Sequence, residues 1–182
     1  MATLREIRDR IGSIKNTEKI TKAMKMIASV KFRKAQQNVV AARPYARKIS
    51  DILRNLIPTI ESFDNELLKQ REIKKICVVV VAADRGLCGS FNTNLLKAAT
   101  LLIHEKYGSF LNSHDLTVFP IGKKAYDYFS KRNYDLYARS VNIFDRLTFP
   151  DVQNVVKEII KGYTEKRFDK VVIVYNEFKS VI

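Results

Sequence analysis

The chain has 182 residues, 46% of them hydrophobic and 29% charged, which is room for one ordinary domain or a domain with a long appendage, and a globular composition. No stretch reaches the roughly 18 to 20 apolar residues of a membrane span. Residues 1–20 carry charges throughout where a signal peptide would have an apolar core, and two cysteines, Cys77 and Cys88, exclude a disulfide scaffold and a four-cysteine zinc site.

The formal net charge is +14, and it is unevenly spread. Residues 1–56 hold fourteen Lys and Arg against four acids, a balance of +10, while the other 126 residues hold nineteen against fifteen. Such a basic arm suits nucleic acid, an anionic lipid surface or an acidic protein surface.

The same segment predicts one very long helix. Between Ala2 and Ile57 there is one glycine, Gly12, and one proline, Pro44. Every third or fourth residue gives Leu4, Ile7, Ile11, Ile14, Glu18, Thr21, Lys25, Ala28, Phe32, Ala35, Val39, Ala42, Ala46, Ile49, Leu53, Leu56 and Ile60. Fourteen of these seventeen are apolar, the seam of a coiled coil held for about eight heptads. The three polar positions fall together, and there the apolar residues move sideways to Ile20, Met24 and Ile27, a stutter in the seam. Pro44 removes a donor and disfavours helix at Arg43, so a kink or break is expected there. About 55 helical residues span roughly 80 Å, whereas a compact domain of this length is about 40 Å wide. The helix must then project from the globular body. Its covering helix is missing from this chain, comes from another copy, or comes from another protein.

Residues 61–74 are expected to be a linker after a helix of residues 1–60, and residues 75–182 an α/β domain. Ile76 to Ala83 is a continuous, largely β-branched run, the mark of a strand covered on both faces. It ends in the turn Asp84-Arg85-Gly86-Leu87-Cys88-Gly89, with Ser90 or Asn92 expected to cap a helix over 91–107. Then follow a strand over 116–122, a helix over 123–132, a short strand over 134–140, a helix over 149–166 with Asp151 in its first turn, and a strand over 171–176. This alternation predicts a Rossmann-like layered α/β fold joined to the long coiled-coil helix. The chain stops at Ile182, just past the last strand, where a closing element is expected.

Little in it points to catalysis. The glycines of the 84–89 turn are three apart, which is neither a dinucleotide fingerprint nor a P-loop. The turn reads as structural, with glycine supplying positive φ and Asp84 bonding its own backbone. Arg85 beside Cys88 would favour a thiolate, but the two histidines, His104 and His114, lie in no catalytic motif and fit no metal-ligand spacing. Cys77 reads as a small buried hydrophobe. No catalytic, cofactor or metal site is expected.

Three stretches carry a resemblance. Ile14-Lys15-Asn16-Thr17-Glu18-Lys19-Ile20-Thr21-Lys22-Ala23-Met24-Lys25-Met26-Ile27-Ala28 resembles the N-terminal helix of the gamma subunit of rotary F-type ATP synthases. Arg43-Pro44-Tyr45 is similar to that family further along, and Asp84 to Gly89 resembles its turn after the first strand. The resemblance implies a central-stalk rotor that does no chemistry itself. In the family, two helices wind into an antiparallel coiled coil inside a ring of alpha and beta subunits, above a foot next to the epsilon subunit and the membrane c ring. It places Lys19, Lys22, Met24, Lys25 and Arg33 near the alpha/beta surface. It also implies a peripheral position on the cytoplasmic face of the bacterial inner membrane, with no insertion and no nucleic acid. Family members run about a hundred residues further, into a second long helix, and that helix is missing here. Self-association through residues 1–57 is expected from the exposed seam.

Two other classes compete. A basic coiled-coil nucleic-acid binder would concentrate its cations in a block before the zipper, whereas here they spread along the seam. A Rossmann-type enzyme with a helical dimerisation arm would be stabilised by micromolar nucleotide.

Overall fold

The computed structural model of the chain describes residues 3–59, 65–69, 71–145 and 147–179; Ile60 of the seam and the first part of the expected linker lie outside them. The chain divides into two compact units, Met1–Ser62 and Phe63–Ile182.

The first unit is helix α1, Leu4–Leu56, followed by a single 3₁₀ turn, Ile57–Thr59. Thr3 starts it with a reciprocal box: Glu6 N–H donates to Thr3 Oγ1 at 3.3 Å, and Thr3 N–H donates to Glu6 Oε2 at 2.8 Å. Two of the four orphan amides of the first turn are thereby satisfied. The expected break at Pro44 does not occur: α1 is continuous through it. Proline withholds one bond, to the carbonyl of Val40, and that residue is exposed, so water can serve the carbonyl. No described residue of α1 is buried.

The second unit is built on three parallel strands, β1 (Ile76–Val81), β2 (Leu116–Ile121) and β3 (Lys170–Tyr175), in the order β2-β1-β3. Val78 of the central strand pairs with Val118 on one side and Val172 on the other. As expected of an unalternated run, both faces of β1 are covered. Ile76, Val78 and Val80 pack under helix α2 (Phe91–Asn112) and helix α3 (Lys123–Ser130), with Leu95, Ala99, Ile103 and Phe129. Cys77 and Val79 pack on the opposite face with Phe119 and Phe168, against helix α4 (Phe149–Thr164) through Val155, Ile159 and Tyr163. The path goes out from β1 to β2 and then back across to β3. Right-handed crossovers in opposite directions put their helices on opposite faces. Each fully buried Val, Leu, Ile or Phe contributes about 1.5 to 3 kcal/mol, so this double layer is the main source of the unit's stability.

Helix boundaries follow local chemistry. α2 runs five residues past the expected end, through Tyr107, whose φ of −129° and ψ of 19° mark a kink at the position where helix was expected to stop. Thr148 caps α4, its Oγ1 accepting from Asp151 N–H while its own N–H donates to Asp151 Oδ2.

The expected strand over 134–140 is reduced to two isolated bridges, Val118 with Leu136 and Ile121 with Ser140. The cause is in β2. Val118 N–H donates to Asp135 O, and Tyr137 N–H returns to Val118 O. The next outward donor on β2 is residue 120, a proline, which has no N–H. The ladder lapses and resumes one residue out of step, with Ser140 N–H donating to Pro120 O and Gly122 N–H donating to Ser140 O.

Candidate functional site

Two regions hold the residues singled out from sequence: the basic stretch of α1 and the 84–89 turn. On α1, helical geometry sorts the five expected contact residues into two groups. At about 100° per residue, Lys19, Lys22, Lys25 and Arg33 share an arc of about 120°, and Met24 lies about 100° outside it. Met24 falls instead within an arc of about 60° with Ile20 and Ile27, and these three are exposed at 56%, 62% and 60%. So the four cations form one sector and Met24 belongs to the sidestepped apolar stripe. The seam residues Leu4, Ile7, Ile11, Ile14, Phe32, Val39, Ile49, Leu53 and Leu56 are all exposed.

Where the seam turns polar, its hydroxyls are already satisfied. Thr17 Oγ1 donates to Ser13 O at 3.0 Å, and Thr21 Oγ1 donates to Thr17 O and Glu18 O at 2.9 Å. Ser29 Oγ donates to Lys25 O at 2.8 Å. With its hydroxyl bonded back to the helix, Thr21 needs no outside partner for it and can sit in a dry helix–helix contact.

The 84–89 turn is tied together differently from the sequence expectation. Asp84 does not bond its own backbone. Its buried carboxylate collects three remote amides: Lys123 N–H and Asn142 N–H on Oδ1, both at 2.8 Å, and Phe144 N–H on Oδ2 at 3.0 Å. The turn lies where β1 and β2 end, so its acid reaches the start of α3 and the 142–144 loop more readily than its own N–H groups. Positive φ falls on Gly89 (57°) and on the fully exposed Leu87 (61°), not on Gly86. Ser90 occupies the N-cap of α2 without a side-chain cap bond. Asn92, the other expected cap, faces the turn: its Oδ1 accepts from Ala83 N–H at 3.0 Å and its Nδ2 donates to Arg85 O and Cys88 Sγ. Arg85 points to Asp145, at 2.8 Å in an exposed ion pair, and not to the thiol.

The two cysteines are chemically unlike. Cys88 is exposed. Cys77 is fully buried, and burial pushes its thiol up to about 12. A disulfide-exchange reagent at pH 8 is expected to titrate one thiol in the native protein and two in denaturant. Two equally fast thiols in the native protein would contradict the packing of β1.

In an open parallel sheet, ligands bind at the carboxyl ends of the strands where the winding direction reverses, here between β1 and β3. That crevice, about 250 Å³, is lined by Val81, Ala82, Phe91, Phe144, Tyr175 and Asn176. Three aromatic rings and no cation make a poor cradle for phosphate. A larger cleft of about 690 Å³ between the 138–145 segment and α4 presents Asp145, Asp151 and Glu158 beside Arg139. Among the described residues no group of three or more His, Cys, Asp or Glu is placed to hold a metal ion. Sequence reasoning missed Arg71 and Asp169, whose contact spans 98 positions; Asp169 also accepts Lys74 and Lys75 N–H. Nothing in the local pattern marks either residue.

Comparison with known proteins gives a consistent result. A family model described as ATP synthase matches residues 3–182. The chain is 42% identical to the ATP synthase gamma chain of Chlorobium phaeobacteroides over all of its length and 63% of the relative's. It is 43% identical to the ATP synthase gamma chain of a Geobacter species, covering 62% of it. Its fold is similar to a chain in the central stalk and c-ring structure of the Tetrahymena thermophila mitochondrial ATP synthase. The TM-score is 0.65 at 25% identity, over 88% of this chain and 66% of that one. The chain thus spans a little over three fifths of the curated relatives it matches.

Proposed function

Because the chain belongs to the ATP synthase gamma-chain family, we propose that it acts as a central-stalk rotor subunit, coupling ion-driven rotation of a membrane c ring to conformational change in catalytic beta subunits while carrying no chemistry itself. The observation that carries this reading is α1: 53 helical residues, apolar seam residues exposed along their length, and Lys19, Lys22, Lys25 and Arg33 within one arc that leaves out Ile20, Met24 and Ile27. A rotor needs a stiff rod, which a helix becomes when a second helix covers its stripe. It also needs contacts that slip. Long Lys and Arg side chains facing an acidic, wet surface supply attraction that is weak per contact and screened by salt.

In this reading Lys19, Lys22, Lys25 and Arg33 face the ring of alpha and beta subunits, and Met24 joins Ile20 and Ile27 in the helix–helix contact. The second unit is the foot, beside the epsilon subunit and the c ring, on the cytoplasmic face of a bacterial inner membrane. The 84–89 turn serves the foot as a structural knot. No helix among the described residues is long and apolar enough to cross a membrane, which agrees with a peripheral place in the complex.

The test is co-elution of the chain with purified alpha and beta subunits of a bacterial enzyme. Retention is expected at low salt and loosening at high salt. Replacing Lys19, Lys22, Lys25 and Arg33 together by Glu is expected to abolish it. Absence of retention at low salt would overturn the assignment. Retention unaffected by the fourfold change would move the contact elsewhere.

A further inference from the structure

Arg71 lies on the segment that leads into β1, five residues before it, and is an arginine in the wrong place for a solvated side chain. Its side chain is 19% exposed, facing Asp169 at 13%. Nη2 donates to the carbonyl of Tyr163 at 2.8 Å, Nη1 lies 3.7 Å from Asp169 Oδ1, and the guanidinium stacks 3.8 Å from the centre of the Tyr163 ring. Nε and Nη1 are buried with no hydrogen-bond partner. Burying a cation with two unused donors is unfavourable, so its position calls for an explanation.

The position joins three elements. Tyr163 is in the last turn of α4, where exposed carbonyls carry the negative end of the helix dipole and welcome a cation. Asp169 immediately precedes β3, and its Oδ2 accepts Lys74 N–H at 3.0 Å and Lys75 N–H at 2.9 Å. Lys75 O in turn accepts Asp169 N–H at 2.8 Å. The leading segment is therefore fastened to the end of α4 and the start of β3 before the first residue of β1.

We propose that Arg71 is a force-bearing latch, which takes load arriving along the chain from α1 and spreads it over α4 and β3 before it reaches the central strand. Without it, tension on residue 71 would fall directly on the bonds between Asp169 and Lys74 and Lys75, and once these part would open β1 from its amino end. The planar guanidinium is needed because it must stack, bond a carbonyl and face a carboxylate at once, which a lysine ammonium does not do. Use of the latch as a torque anchor rests on the rotor reading; its mechanics do not, and they are tested without any partner.

The experiment is single-molecule unfolding of the full chain at constant force in two geometries. In the first, handles sit at the two termini, so load passes through residue 71. In the second, handles sit at the exposed Cys88 and the C-terminus, so load bypasses it. Arg71→Ala is expected to speed rupture roughly 10- to 100-fold in the first geometry, the scale of a lost charged hydrogen bond, and to leave the second unchanged. Arg71→Lys, which keeps the charge and is the safer folder, is expected to show the same geometry dependence and not to restore the parent rate. Equal acceleration in both geometries would make Arg71 a general packing residue and overturn the latch, as would no acceleration in the first. Failure of the chain to bind alpha and beta subunits would leave these results standing and remove only the rotor reading.

Discussion

Gly122→Ala is expected to unfold the second unit or weaken it by on the order of 4 kcal/mol, the upper range for a single substitution. Gly122 caps α3 with a φ of 92°, a conformation L side chains rarely adopt. A Cβ there would overlap the carbonyl oxygen of Ala82 and lie 3.2 Å from the Phe144 ring. The neighbourhood has no slack to give. Ala82 N–H donates to Ile121 O, Gly122 N–H to Ser140 O, and Lys124 N–H to Ala83 O, so moving either backbone breaks the ends of both β1 and β2. Gly12 is the matched control: it lies inside α1, and a Cβ there meets nothing within 4 Å. Gly12→Ala is expected to add about 0.8 to 1 kcal/mol of helix stability. Urea unfolding followed by tyrosine signal reads mainly the second unit, which holds seven of the eight tyrosines, and far-ultraviolet dichroism adds α1. A Gly122→Ala protein melting within a degree or two of the parent would refute the packing described at this corner.

The second large effect is expected at Asp84, and here two substitutions are needed to separate its jobs. Asp84→Ala strands the part-buried amides of Lys123, Asn142 and Phe144, each an unsatisfied donor worth about 1 to 3 kcal/mol if water does not reach it. A loss of about 3 to 4 kcal/mol follows once partial hydration is allowed for. Asp84→Asn keeps an oxygen for Lys123 and Asn142 but turns an amide donor toward Phe144 N–H, so a loss of about 1 to 2 kcal/mol is expected. Hydrogen exchange at Asn142 and Phe144 should rise strongly in the alanine variant, and in the asparagine variant at Phe144 alone. Equal stability of parent and asparagine variant would mean that the Phe144 contact contributes nothing.

How far the sequence reveals this molecule depends on the range of each interaction. The run Ile76 to Val81 reads as a doubly covered strand because burial on both faces removes the alternation a half-exposed strand would show, and that is a local property. The heptads of α1 are local too, and so is the sorting of Met24 with Ile20 and Ile27, which needs only the helical angle. The 134–140 strand was misread because its pairing depends on which residue of β2 stands opposite; Pro120 is visible in the sequence, but its missing donor matters only once the register is known. Asn92 sits where a cap is expected, yet it bonds Ala83, Arg85 and Cys88, because the turn folds back over the start of α2. Asp84 and Arg71 act across 39 or more positions, and no spacing rule reaches that far. Lys19, Lys22, Lys25 and Arg33 are legible as residues; the surface proposed for them would lie on another molecule and so leave no trace in this chain.

Pro120 has a last consequence, for crowding. A sheet edge with free donors and acceptors is a template on which a neighbouring chain can add a strand. On the outer side of β2 that template is spoiled twice, by a residue with nothing to donate and by a stretch of the chain's own backbone lying one residue out of step. At high concentration, as when ribosomes release many copies into a small volume, fibre growth through this edge is closed. The residue that denies the protein a regular fourth strand also denies that place to a stranger.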